Sequence, residues 1–137
     1  MLTRKTRYAI MALTALAKEY GKGPVPMSHI ASSKNIPLRF LEGILLEFKR
    51  SGILKSARGV DGGYYLAIPP EDISLAQIID KTEGSLMPVS CLDCDNGNKC
   101  EFDWVPESCG IRRAFADLYF EVQSKVENTT LKDLIQV

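Results

Sequence analysis

Cysteine is missing from residues 1–90 and 110–137 of this 137-residue chain; all four thiols fall within nineteen residues, as Cys91, Cys94, Cys100 and Cys109. None is therefore a small hydrophobe scattered through a core. Net charge is also missing, with 17 bases against 17 acids. No run reaches the ~18–20 apolar residues of a membrane span. The opening Met1-Leu2-Thr3-Arg4-Lys5 lacks the apolar run of a signal peptide. A cytoplasmic protein with no membrane partner is expected, and reduced thiols there count against structural disulfides. Histidine occurs once, at His29, with no second ligand nearby. That position suits a helix start or a phosphate contact better than a metal. The glycine-rich stretch Arg58–Gly63 leads into a β-prone run, whereas a nucleotide-phosphate cradle needs a helix there. Cys91 and Cys94 lack the βαβ surroundings of a dithiol oxidoreductase. No enzymatic site is read from the chain.

What is present is an uneven charge distribution. Up to Pro70 there are eleven bases and four acids; beyond it, six bases and thirteen acids. A basic front half suggests a polyanion partner, and an acidic back half resists collapsing onto it. One main domain is expected from the length, with room for an appended arm.

The front half reads as a winged helix-turn-helix. Thr3 can cap a helix running to about Tyr20, with Ala9, Leu13, Leu16 and Tyr20 on one face and Gly21 as the stop. Gly23-Pro24-Val25-Pro26 is a break. Ser28 then caps a short helix over about His29–Lys34, and Asn35-Ile36 forms a tight turn. Pro37 suits the first position of the next helix, which ends near Gly52. Leu38, Leu41, Leu45 and Phe48 follow core-facing spacing, while Arg39, Glu42, Gly43, Leu46 and Arg50 look outward. Two short helices joined by a tight turn fit DNA-binding geometry. The β-prone runs Ile53–Ala57 and Tyr64–Ile68 flank a slender glycine-rich tip with Arg58 at its base. Such a wing suits a narrow minor groove, where negative potential is enhanced.

In the back half, Ser74-Leu75-Ala76-Gln77 is a capping box opening a helix that ends by Gly84. The cysteine segment follows. The stretch between its first three cysteines, with Asp93, Asp95, Asn96, Gly97, Asn98 and Lys99 beside a lone Leu92, is polar and turn-prone as a whole, so the thiols sit where they can ligate or react. A long amphipathic helix is expected from about Cys109 to Asn128, with Ile111, Phe115, Leu118, Val122 and Val126 on one stripe. A terminal helix over Leu131–Ile135 would be capped by Thr129 or Thr130. A single winged helix leaves little core for so long a helix, and palindromic operators are read by two-fold dimers. Pairing through Ile111, Phe115, Leu118 and Val122 into a homodimer is therefore expected. The whole is mainly α with a small β-hairpin: residues 1–84 as the DNA-binding domain, residues 85–137 as cysteine loop, dimerisation helix and C-terminal helix.

A family resemblance rests on short motifs in order: Leu2-Thr3 with Arg7-Tyr8-Ala9, Val25-Pro26 with Ile30-Ala31, and Phe40-Leu41-Glu42. Arg58-Gly59 with Gly62-Gly63-Tyr64 and, last, Cys109-Gly110-Ile111-Arg112 complete the series. Together they cover nearly the whole chain, which resembles the IscR/NsrR/CymR family of bacterial winged-helix regulators. The resemblance implies a dimeric transcriptional regulator and, in its cysteine-bearing branch, an iron–sulfur cluster that modulates DNA binding. The expected partner is double-stranded DNA carrying a palindromic operator. The expected contact set is Thr3, Lys5, Ser28, Pro37, Leu38, Arg39, Glu42, Gly43, Arg58, Gly59 and Gly62. Within it, Arg39 and Glu42 face base edges, and Thr3, Lys5 and Arg58 hold phosphates or the minor groove.

The cysteine pattern departs from the family. Cluster-binding members typically show three cysteines at shorter spacings, whereas this chain has C-x2-C-x5-C-x8-C. Cys109 aligns with the last family cysteine, Cys100 with the middle one, and Cys91 or Cys94 with the first. The IscR-like histidine three residues after the last cysteine is Arg112 here. The acidic ligand of some NsrR-like members falls at Arg7. The spare cysteine is the natural replacement, so Cys91, Cys94, Cys100 and Cys109 form the expected ligand set of a 2Fe–2S or 4Fe–4S cluster. Zinc also takes four thiolates but favours paired C-x2–4-C knuckles, and only Cys91/Cys94 makes one. Unligated thiols, redox-active or inert, remain a further alternative. Trp104 and Phe102 would either shield the site or anchor the loop.

Overall fold

A computed structural model describes residues 2–86, 92 and 109–136. Thr3 starts the first helix as expected: its hydroxyl accepts from the Thr6 N–H at 3.3 Å, and α1 runs Arg4–Lys18. The helix ends two residues before Tyr20. Glu19 leaves helical geometry at φ −100° and ψ 9°, which turns Tyr20 off the apolar stripe and leaves it 44% exposed. The second helix, α2 (Met27–Lys34), is entered through Pro26 at the N-cap. Pro26 supplies its carbonyl to the His29 and Ile30 amides, so Ser28 lies exposed inside the first turn rather than capping it. Asn35 caps α2 in the left-handed region at φ 53°, a conformation asparagine tolerates, and Ile36 is buried below the turn.

The third helix, α3 (Leu38–Arg50), again has proline, Pro37, at the N-cap, so it begins one residue after the expected first helical position. The hairpin pairs β1 (Leu54–Ala57) with β2 (Gly63–Leu66) antiparallel, from Leu54 opposite Leu66 to Ala57 opposite Gly63. Both strands are shorter than their β-prone runs. A single 3-10 turn, Pro70–Asp72, leads to α4 (Leu75–Thr82), which carries the expected Ser74/Gln77 capping box. The long helix α5 (Gly110–Asn128) has Cys109 as its N-cap. The terminal helix α6 (Leu131–Ile135) is capped by Thr130 with Asp133, while Thr129 donates back to the Lys125 carbonyl at 2.8 Å.

The core is built around α1. Ala9, Ala12, Leu13 and Leu16 meet Ile30 of α2, Leu41, Ile44, Leu45 and Phe48 of α3, and Leu54 and Leu66 of the hairpin, all nearly or fully buried. Each large aliphatic or aromatic side chain buried this way contributes ~1.5–3 kcal/mol. Leu131 of α6 belongs to the same core and is fully buried. It is held there by its amide bonded to the Ile73 carbonyl at 2.9 Å and by a Ser74–Thr130 bridge. The end of the back half thus packs on the front half. By contrast α5, nineteen residues long, has no buried residue.

Candidate nucleic-acid interface

The two-helix unit presents the first turn and outer face of α3. Pro37, Leu38, Arg39 and Phe40 are all exposed, as are Glu42, Gly43, Leu46, Lys49 and Arg50. Leu38, grouped by spacing with the core residues, is 52% exposed because the helix begins outside the core; Ile44, not anticipated, fills the inner face instead. Phe40 is 45% exposed and meets Tyr8 of α1 in a tilted ring contact of 6.0 Å, which fixes the entry of α3 against α1. Lys5 Nζ pairs with Glu47 Oε2 at 2.7 Å, tying α1 to α3. This pair is exposed, so it positions Lys5 more than it stabilises the fold.

The wing is anchored at its base. Val25, in the break before α2, exchanges both backbone hydrogen bonds with Tyr64 at 2.8 and 2.9 Å. Gly63 makes this approach possible: its φ is +149°, and a Cβ there would run into the Val25 carbonyl. At the tip, the Gly62 N–H donates to the Gly59 carbonyl at 3.1 Å, and Arg58, Gly59, Val60 and Asp61 are exposed. The glycines thus serve a turn, and nothing helical follows them.

A polar network that no sequence pattern announced joins the two ends of this unit. Thr6, fully buried, donates its hydroxyl to Glu83 Oε1 at 2.5 Å and lies 2.8 Å from the Thr82 hydroxyl. The Thr3 N–H donates to the same Glu83 oxygen at 2.6 Å. The Thr6 hydroxyl, then the Thr3 amide and hydroxyl, hold the Glu83 carboxyl below its ordinary value of 4.5. Partners separated by 76 to 80 residues are thereby joined at the point where α4 ends and the cysteine-bearing segment begins. The Thr3 hydroxyl is engaged as the α1 cap, and Ser28 stands exposed on α2. His29, also on α2, is exposed.

Of the four cysteines, Cys109 is described; Cys91, Cys94 and Cys100, with Phe102 and Trp104, lie outside the described residues. Cys109 is part-exposed and carries no disulfide, and its Sγ accepts from the Arg112 amide at 3.4 Å. Its sulfur stands at the amino end of a nineteen-residue helix, where the helix dipole favours negative charge, so this position fits a thiolate ligand. Among the described residues no three metal-ligating side chains come together. On α5, Ile111 (53%), Phe115 (38%) and Leu118 (49%) are exposed with Val122 part-exposed. Val126, expected on the same stripe, lines the cleft against α4 with Tyr119 and Gln123. Phe120, 67% exposed, was not anticipated. No helix among the described residues is long and apolar enough to cross a membrane.

Comparison with known proteins agrees with this architecture. CymR of Bacillus subtilis, a helix-turn-helix transcriptional regulator, is 33% identical over 133 residues, covering 97% of this chain and 88% of that protein. The solved structure of CymR, described as the global cysteine regulator of B. subtilis, matches with a TM-score of 0.84 at 30% identity, over 99% of this chain and 96% of that one. T. potens IscR matches with a TM-score of 0.78 at 27% identity, over 99% and 86%. Residues 2–137 match the profile of the Rrf2 family, described as iron-dependent transcriptional regulators. The winged helix-turn-helix, the long helix that follows it and these matches together assign the chain to the Rrf2 family of transcriptional regulators.

Proposed function

We propose that the protein is a homodimer that binds a palindromic operator and whose DNA affinity depends on an iron–sulfur cluster. The observation carrying the cluster reading is Cys109 at the N-cap of α5, part-exposed with a backbone amide directed at its sulfur. Cys109 and Cys100 would be indispensable ligands, with Cys91 and Cys94 completing the set. When bound, such a cluster supplies a centre sensitive to redox poise, oxygen or nitric oxide. The chain's own residues supply the rest. Residues 1–84 form the DNA-binding unit. Arg39 and Glu42 reach base edges from α3, flanked by Pro37, Leu38 and Gly43. Thr3, Lys5, Ser28 and the wing residues Arg58, Gly59 and Gly62 hold the backbone and minor groove. Residues 85–137 carry the thiols and pair the subunits through Ile111, Phe115, Leu118 and Val122. Glu83 couples the two regions, because it bonds Thr3 and Thr6 at the start of α1 from the residue just before the thiol-bearing segment.

The test is anaerobic purification with assays for iron, sulfide and zinc, a visible spectrum, and promoter-fragment binding across a salt series. Iron and sulfide with salt-sensitive DNA binding support the reading. Stoichiometric zinc without iron or sulfide refutes the cluster and leaves DNA binding standing. A second reading, a cluster-free thiol- or zinc-containing repressor controlled by a partner protein or by thiol oxidation, is supported by the likeness to CymR, described as a global cysteine regulator. It expects neither iron nor sulfide and a DNA affinity that responds to thiol oxidants or to an added partner.

A further inference from the structure

The foremost residues of the wing are ill-suited to an A·T-rich minor groove. Gly59–Gly62 is a four-residue turn closed by a 3.1 Å hydrogen bond, which places Val60 and Asp61 at its two central positions. Val60 is completely exposed at 101%, and Asp61 is exposed beside it. Aspartate is common in turns because it bonds its own backbone. Here the Asp61 carboxylate makes no such bond, and among the described residues the ion pairs are Lys5–Glu47 and Lys22–Glu19, so Asp61 has no cationic partner either. Neither turn geometry nor charge pairing employs it. The backbone beside it is also kept thin. A Cβ on Gly62 would come within 2.5 Å of the Ala57 carbonyl, so the turn admits only glycine there and stays narrow enough to enter a groove.

An ionised carboxylate only accepts hydrogen bonds. In the minor groove, A·T and T·A pairs present acceptors alone, and narrow A-tracts concentrate negative potential. The guanine 2-amino group is the one donor that the bases offer in that groove. We propose that Asp61 is a specificity-determining residue: it accepts a hydrogen bond from the 2-amino group of a guanine beneath the wing and rejects A·T pairs at that position. Val60, whose side chain has no polar atom to satisfy, packs against the sugar wall. Arg58 at the wing base offsets the phosphate repulsion that the carboxylate meets. The proposal rests on the reading that the wing enters the minor groove.

The test selects duplexes from a random library with the full chain, then replaces each guanine of the selected site singly by inosine. Inosine keeps the major-groove face of guanine and lacks the 2-amino group. One guanine per half-site is expected at which inosine weakens wild-type binding by about fivefold or more, as loss of a direct base contact does. The Asp61→Ala protein should be indifferent to the same replacement and should accept A·T there. Circular dichroism confirms that this turn variant is folded. Absence of an inosine-sensitive guanine, or equal sensitivity in Asp61→Ala, overturns the proposal. Arg58→Ala on the same duplex separates the two levels. If Arg58→Ala weakens binding while inosine has no Asp61-dependent effect, the wing reading stands and the Asp61 assignment falls. If neither perturbation has an effect, both fall.

Discussion

In the proposed homodimer, replacing Leu118 by glutamate should dissociate the subunits while leaving each one folded. Leu118 is 49% exposed on α5, a helix with no buried residue, so half of its side chain remains to be covered. Complete burial of a leucine contributes ~1.5–3 kcal/mol, so the uncovered half is worth roughly 1 kcal/mol. A two-fold interface uses every residue twice, which makes roughly 2 kcal/mol per dimer from lost burial alone. Two carboxylates brought into a dry interface add a desolvation cost, for a total of roughly 2–4 kcal/mol. The dimer dissociation constant should therefore rise by roughly 30-fold to 1,000-fold. Sedimentation velocity over a concentration series reads this directly, and promoter affinity should fall in parallel. Thermal unfolding at a concentration where both proteins are monomeric should change by less than ~0.5 kcal/mol, as for other exposed substitutions. An unchanged sedimentation profile in Leu118→Glu, or a wild-type protein that stays monomeric at micromolar concentration, would refute the pairing of α5 helices.

Arg58→Ala should weaken binding to all duplexes and flatten the slope of log affinity against log salt by about one, as loss of one phosphate contact does. Cys109→Ala should abolish visible absorption after anaerobic purification; if Cys91 and Cys94 substitute for one another, only their double replacement matches it. The Thr6 and Thr3 hydrogen bonds lower the Glu83 pKa, so their contribution is complete above about pH 4.5 and is lost as pH falls through the lower folded value. Asp133, lowered by its bonds to Thr130, acts in the same direction. Glu83→Gln should therefore lessen the loss of stability on acidification without abolishing it, and chemical denaturation at stepped pH values measures this; an unaltered acid profile rules it out. Phe48→Ala, which empties a fully buried site, should cost ~3–5 kcal/mol in the same assay.

The sequence by itself determined the elements and their order, because their signals are local. Apolar residues at helical spacing, the Ser74/Gln77 cap, the threonine before the terminal helix, the asparagine turn and the glycines of the wing each act within a few residues. The local signal loses authority at helix ends, where the surroundings decide. Pro26 and Pro37 displace the expected starts by a residue or more, and Tyr20 and Leu38 fall outside the core although their spacing matches it. Only the tertiary structure decided that Leu131 would close the core begun by Ala9, and that Glu83 would clasp Thr3 and Thr6. Those partners lie 77 or more residues apart, and periodicity carries no information over that distance. They meet because α1, α4 and α6 must bury their apolar faces against one another, and the polar groups at the rim then find the partners that burial leaves within reach.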